Sequence, residues 1–264
     1  MKKNTSLFSV HGKVVILTGG VGYLGAQYAE ALSHGGAQVV VWDTGRPATP
    51  VSGVIYENVD ITSEKAVQSA VKKIIKKFGK IDALINNAAL NPAVGAKNAA
   101  QAFAPYEEYP IELWEKELTV NLTGTMICTK TVAPIMMKQK SGSIVNVASD
   151  LSLIAHDHRV YNDPNEKRFK SIAYTTTKSG ILGLTRQWAA RLGRFSVRVN
   201  AFSPTGMRMD TLPKDFVASY GGANMLGRMA EYGEYSGPII FLCSDASVMM
   251  TGANLVVDGG KTAW

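Results

Sequence analysis

Tyr174 and Lys178 stand one helical turn apart in the run Tyr174-Thr-Thr-Thr-Lys178. At i and i+4, a phenol and an amine share one face of a helix. A nearby ammonium favours the phenolate, and a phenol so tuned passes a proton to or from a carbinol oxygen. The spacing alone also arises on ordinary amphipathic helices. It gains weight from two other features, a glycine-rich turn near the start of the chain and a strand-like run ending near Ser149.

The turn reads Thr18-Gly19-Gly20-Val21-Gly22-Tyr23-Leu24-Gly25 and joins the first strand-like run to the first helical one. Glycines there let the backbone approach a pyrophosphate closely, and a helix N-terminus favours negative charge. Gly19, Gly22, Tyr23, Leu24 and Gly25 are therefore candidate cofactor contacts. Asp43 closes the next strand-like run. A carboxylate in that place accepts both ribose hydroxyls of NAD and repels the extra phosphate of NADP. Arg46 lies close enough in sequence to blunt that choice, so NAD is the expected preference and NADP stays open.

These residues need a scaffold, and the hydrophobic pattern supplies one. Strand-like runs cover Val14 to Thr18, Val39 to Trp42, Val54 to Val59, Ala83 to Ile85, Ser143 to Val147, Val197 to Phe202 and Leu255 to Val257. Helical spacing covers Tyr23 to His34, Ile111 to Met137, Tyr174 to Leu192 and Glu231 to Cys243. The clearest helix carries Ala66, Val67, Ala70, Val71, Ile74, Ile75 and Phe78 at helical spacing, with Thr62 or Ser63 to cap it and Gly79 to end it. Repeated β-α-β units predict an α/β fold, a parallel sheet with helices on both faces. Ligands bind such sheets beyond the carboxyl ends of the strands, where Asp43, Asn86, Ser149 and Pro204 fall.

The bulk numbers agree with one domain. The chain has 264 residues, of which 46% are hydrophobic and 19% charged, which suits a folded core and not a disordered chain. The net charge of +7 is spread along the chain. Its densest run, Lys72, Lys73, Lys76 and Lys77, reads as a solvated helix face, so no nucleic-acid partner is expected. Cys128 and Cys243 lie in apolar contexts as buried thiols. No leader or membrane-spanning stretch stands out, so a soluble cytoplasmic protein is expected.

The chain resembles the classical short-chain dehydrogenase/reductases across nearly its whole length. The match rests on the glycine turn, Asp60 after the third strand, Asn86-Asn87-Ala88-Ala89, Asn121, Ser149, Tyr174 with Lys178, Asn200 through Pro204, and Asp258-Gly259-Gly260. The resemblance implies a single Rossmann-type, doubly wound parallel sheet over residues 1–264. It implies four catalytic residues: Tyr174 as general acid/base, Lys178 lowering its pKa and holding the nicotinamide ribose, Ser149 orienting the substrate oxygen, and Asn121 holding a relay water. Asp60 and Ile61 would flank the adenine. Asn86, Asn87 and Ala88 would line the cofactor groove, and Pro204 to Met207 would lie near the nicotinamide, with Thr211 a further candidate. A homotetramer or dimer, joined through the helices at 111–137 and 174–192, is implied too.

The chain departs from that pattern in places. Tyr23 stands where the second glycine of the classical turn belongs, Ala89 and Thr205 replace usual glycines, and Ser149 and Tyr174 lie about twice as far apart in sequence as is usual. The resulting insert, Leu151 to Ile172, carries His156, Asp157, His158, Arg159, Tyr161, Asn162, Asp163, Lys167 and Arg168. With a second long loop near 91–110 it is expected to wall the substrate pocket. Ser149, His156, Arg159 and Tyr161 are candidate substrate contacts, and no metal site is expected. The polar insert points to a polar small molecule, such as a sugar, sugar acid or sugar nucleotide, oxidised or reduced at a secondary alcohol. A non-catalytic dinucleotide-binding regulator, and an isomerase or dehydratase using bound NAD, remain as alternatives.

Overall fold

A computed structural model describes residues 6–92, 99–161 and 168–264. Seven strands, β1 (Val14–Thr18), β2 (Gln38–Asp43), β3 (Ile55–Asn58), β4 (Ala83–Asn86), β5 (Gly142–Val147), β6 (Val197–Pro204) and β7 (Asn254–Val257), form one sheet ordered β3-β2-β1-β4-β5-β6-β7. Every neighbouring pair is parallel. The helices are α1 (Tyr23–His34), α2 (Glu64–Phe78), α3 (Ala99–Ala102), α4 (Ile111–Leu118), α5 (Thr125–Gln139), α6 (Ile172–Leu192), α7 (Lys214–Gly222) and α8 (Ser236–Cys243).

Successive side chains of a strand point to opposite faces, and both faces here are apolar. Val14 and Ile16 of β1, with Val40 and Trp42 of β2, pack against α2, α5 and α6. Val15, Leu17, Val39 and Val41 pack the other way, against Tyr28, Ala29 and Leu32 of α1 and Ile239 and Leu242 of α8. This is the doubly wound arrangement expected from the pattern. Ser63 caps α2 by accepting from the Ala66 N–H, and Gly79 ends it in the left-handed region at φ 74°. Lys72, Lys73, Lys76 and Lys77 lie on its exposed side.

Three expectations need correction. The helix expected over 111–137 is broken by a π-helical turn at Thr119–Gly124, which separates α4 from α5. The helix expected from Glu231 begins only at Ser236, because Glu234 folds back to accept from the Glu231 N–H and pair with Arg228 at 2.7 Å. Helix α7 was not anticipated at all.

Strand order reverses between β1 and β4, which opens a crevice at their carboxyl ends. Thr18 Oγ1 accepts from the Asn87 and Ala88 N–H groups, and Asn87 Nδ2 donates to the Thr18 and Gly19 carbonyls. These bonds lock the crevice floor. The glycine turn is packed against it so closely that a Cβ on Gly25 would sit 2.2 Å from the Gly19 carbonyl oxygen. At Gly22 the same atom would meet nothing nearer than 3.5 Å. Gly25→Ala is therefore expected to destabilise the protein by about 1–3 kcal/mol. Gly22→Ala should stay within about 0.5 kcal/mol. Urea unfolding of the two variants checks the contrast, and equal losses would contradict it.

Candidate active site

The carboxyl ends of β1, β2, β4, β5 and β6 open onto a cavity of about 1010 Å³. At one end, Gly19, Gly22, Tyr23, Leu24 and Gly25 line it. Helix α1 starts there with no side-chain cap, so the N–H groups of its first turn face the cavity. Asp43 lines the same end, its carboxylate accepting from the Val21 and Gly45 N–H groups at 3.0 and 2.9 Å. Asp60, Ile61, Asn87 and Ala88 continue the wall, and Pro204 and Met207 line its far part. Arg46 is exposed and Thr211 is exposed, and neither lines the cavity. Asn86 is buried below it, donating to Thr129 and Asn146. Tyr23 turns its ring onto Tyr232, with centroids 5.9 Å apart, and its hydroxyl donates to the Arg208 carbonyl.

At the other end, Ser149, Tyr174 and Lys178 come together on the cavity wall. Ser149 follows β5, and the Tyr and Lys lie on α6, whose N-cap Ser171 accepts from the Tyr174 N–H. Lys178 Nζ donates to the Val147 carbonyl and lies 5.7 Å from the Tyr174 ring centroid. Burial lowers the Lys178 ammonium to about 8. Burial also pushes the Tyr174 phenol well above its ordinary value; Asp150 adds to this and the Ser149 hydroxyl opposes it. The phenol is thus neutral at pH 7 in this protein, and the downward pull expected from Lys178 does not outweigh desolvation.

Asn121 lies behind the cavity and not in its wall. It sits in the π-helical turn, its amide donating to the Leu90 carbonyl and Thr177 hydroxyl and accepting from the Leu90 N–H at 2.7 Å. These bonds fix the loop after β4 to α6. Glu117 acts similarly: buried on α4, it accepts from Tyr109 and from the cap residue Ser171.

The least anticipated contact is the buried ion pair of Asp150 and Lys261. The two lie 2.8 Å apart, with side chains 2% and 6% exposed. Asp150 Oδ1 accepts from the Ser149 hydroxyl at 2.7 Å, while Oδ2 accepts from Thr205 and Tyr220 as well as Lys261. Burial opposes ionisation of Asp150, but the Lys261 charge and these donors together hold its carboxyl below the usual range. Thr205, the departure from the usual glycine, is thereby explained as a donor to this carboxylate. No spacing rule joins residues 111 positions apart, so the pair was invisible in sequence.

Among the described residues of the insert, the cavity wall is largely aromatic, with Lys170 its one charged side chain. His156 and Tyr161 line the cavity, whereas Arg159 turns outward, 85% exposed and paired with Asp157. Its short reach back to Asp157 takes it away from the substrate end. Tyr161 stacks on Phe216 of α7 at 5.8 Å and meets Phe103 edge-on at 5.4 Å. Asn162, Asp163 and Lys167 lie outside the described residues. Lys170, unnoticed in sequence because nothing distinguishes it from a surface lysine, is buried 4.5 Å over the Tyr174 ring.

Comparisons with known proteins agree with this geometry. A family model described as enoyl-(acyl carrier protein) reductase matches residues 22–262. The chain is 30% identical to D-threitol dehydrogenase of Mycolicibacterium smegmatis, over 97% of this chain and 95% of that one. It is 31% identical to trans-4-hydroxycyclohexanecarboxylate dehydrogenase of Sinomonas cyclohexanicum, over 95% and 93% of the two. A solved short-chain dehydrogenase of Leptospira borgpetersenii with bound NAD+ aligns with a TM-score of 0.86 at 27% identity, covering 99% of this chain and 97% of that one. The chain belongs to the classical short-chain dehydrogenase/reductase family, oxidoreductases that act on a CH–OH group with NAD or NADP.

Proposed function

We propose that this protein interconverts a secondary alcohol and a ketone on a sugar, sugar acid or sugar nucleotide, with NAD preferred over NADP. One observation carries the reading: Ser149, Tyr174 and Lys178 share a cavity with a glycine turn that ends in an uncapped helix N-terminus. That cradle suits a dinucleotide pyrophosphate. Asp43 would hold the adenosine ribose and disfavour a phosphate on it, while Asp60, Ile61, Asn87 and Ala88 would flank the adenine side. Pro204 and Met207 would border the nicotinamide, and Lys178 its ribose. When bound, the cofactor supplies the hydride donor or acceptor.

The chain's own residues then handle the proton. Tyr174 gives it to the carbonyl oxygen on reduction and takes it from the alcohol on oxidation. Ser149 has its own proton committed to Asp150 and accepts from the Leu151 N–H in this structure, which leaves its Oγ one further lone pair to accept from the phenol or the incoming hydroxyl. Asn121 ties the loop after β4 to α6 and would hold the relay water that links Lys178 to solvent. The D-threitol and hydroxycyclohexanecarboxylate dehydrogenases among the relatives support a hydroxylated, polar substrate. The aromatic side chains at the substrate end favour a free sugar or sugar acid over a sugar nucleotide. The single sheet supports one domain over 1–264, and assembly into a dimer or tetramer would run through α4, α5 and α6.

Tyr174→Phe is expected to lower kcat by about 10²–10⁴-fold while NADH binding, read by fluorescence, changes little. Binding without turnover in the unmodified protein, over a panel of sugars, sugar acids and polyols, would favour the regulator instead. Burial raises the Tyr174 phenol and lowers the Lys178 ammonium to about 8, so the first proton to leave as pH rises is that of Lys178. Oxidation needs the phenolate, so its kcat/KM should climb as pH rises above neutrality, while reduction, which needs the phenol, should not. A flat oxidation profile between pH 6 and 10 would contradict the assignment. Finally, Lys261→Met should cost about 3–5 kcal/mol in urea unfolding by leaving the Asp150 carboxylate buried and unpaired. Loss of the exposed Arg159–Asp157 pair should cost less than about 1 kcal/mol.

A further inference from the structure

Two polar side chains at the substrate end are incompletely matched among the described residues. His156 is 8% exposed, and neither ring nitrogen has a hydrogen-bond partner among the described residues. Lys170 is buried, and among the described residues its Nζ donates to neutral oxygens, the Asn91 side chain and the Pro92 carbonyl. Among the described residues no carboxylate lies within ion-pair distance of it, whereas Lys261 is matched by Asp150. A buried ammonium without a counter-ion and a buried imidazole without a partner are each costly.

Both line the same cavity as Ser149 and Tyr174, and a chain of contacts links them. Lys170 lies over the Tyr174 ring at 4.5 Å and over Phe103 at 6.0 Å; Phe103 meets Tyr161 at 5.4 Å, and Tyr161 meets His156 at 4.9 Å. His156 then lies 6.4 Å from Tyr220, whose ring and hydroxyl hold Lys261 against Asp150 and so against Ser149. These contacts run along the cavity wall from Tyr174 to Ser149. The wall there is largely aromatic, and the faces of aromatic rings suit the C–H face of a compact cyclic skeleton.

We propose that Lys170 and His156 bind a carboxylate of the substrate, so that the enzyme acts on a compact, ring-shaped hydroxy acid. The proposal rests on the oxidoreductase reading above and narrows its substrate class. A carboxylate would give Lys170 its counter-ion and accept an N–H from the neutral imidazole, satisfying both groups at once. The two lysines near it and burial hold that imidazole down to about 3, so it enters as a neutral donor. Glu117, the other buried carboxylate near Lys170, is occupied by Tyr109 and Ser171.

The test compares 4-hydroxycyclohexanecarboxylate with its carboxamide, the same ring without the charge, each oxidised with NAD at pH 7. The acid should be favoured in kcat/KM by about tenfold or more. In Lys170→Met that preference should collapse toward one, through a KM raised more for the acid than for the amide. His156→Phe should lower it partway. An equal preference in the unmodified protein, or one that Lys170→Met leaves intact, would overturn the proposal. If neither compound turns over, Tyr174→Phe tells the two readings apart. Its melting temperature with NADH present should rise with the acid and not with the amide, and the rise should vanish when Lys170→Met is added. A shift with no turnover would spare the carboxylate site and count against the oxidoreductase reading. No difference between acid and amide in either readout would remove the site.

Discussion

Asp150 and Lys261 share a site from which water is almost wholly excluded, and the geometry of the active end depends on their pairing. A buried carboxylate persists only where cations and donors surround it. Here the donors are Ser149, Thr205, Tyr220 and Lys261, which reach it from the end of β5, the end of β6, α7 and the loop after β7. One carboxylate therefore gathers four separate segments, and three of them wall the cavity. The rotamer of Ser149 is a consequence of this gathering, since its hydroxyl points where Asp150 can accept it.

The same constraint explains what could and could not be read from the sequence. The strands were legible because both sheet faces are buried, which leaves near-continuous runs such as Val14–Thr18 and Gln38–Asp43. The short-chain motifs placed Ser149, Tyr174 and Lys178 on one wall because strand ends and helix starts are local features. The π-helical turn at Asn121 was not legible, for it is held by Leu90 and Thr177, both far away in sequence. Helix α7 was missed because Phe216 and Tyr220 anchor it to residues distant in sequence, Tyr161 and His156 of the insert and the Asp150–Lys261 pair.

The insert itself shows why composition misleads. Its charged residues suggested a wet wall, yet Asp157 and Arg159 satisfy one another at the surface. That leaves His156 and Tyr161 to face inward against Phe103, Phe216 and Tyr220. Charge in a loop sequence marks where the chain meets water; the cavity is lined by what remains. A lysine such as Lys170 breaks even that rule, because its stem packs on aromatic rings while its ammonium is drawn inside.

Local pattern and packing agree through the sheet and its helices, and the buried polar atoms left without a partner there are single atoms, whereas His156 has both ring nitrogens unmatched at the substrate end of the cavity. At that end, among the described residues, Lys170 pairs with no carboxylate and His156 has no partner at either ring nitrogen. Both deficits would be relieved by a ligand that brings negative charge and hydrogen-bond acceptors. The sheet tolerates the deficit because both of its faces are fully packed, so the stability lost at the carboxyl edge is drawn from a core that does not share it. The cavity is left incomplete in the chemical sense that a substrate completes.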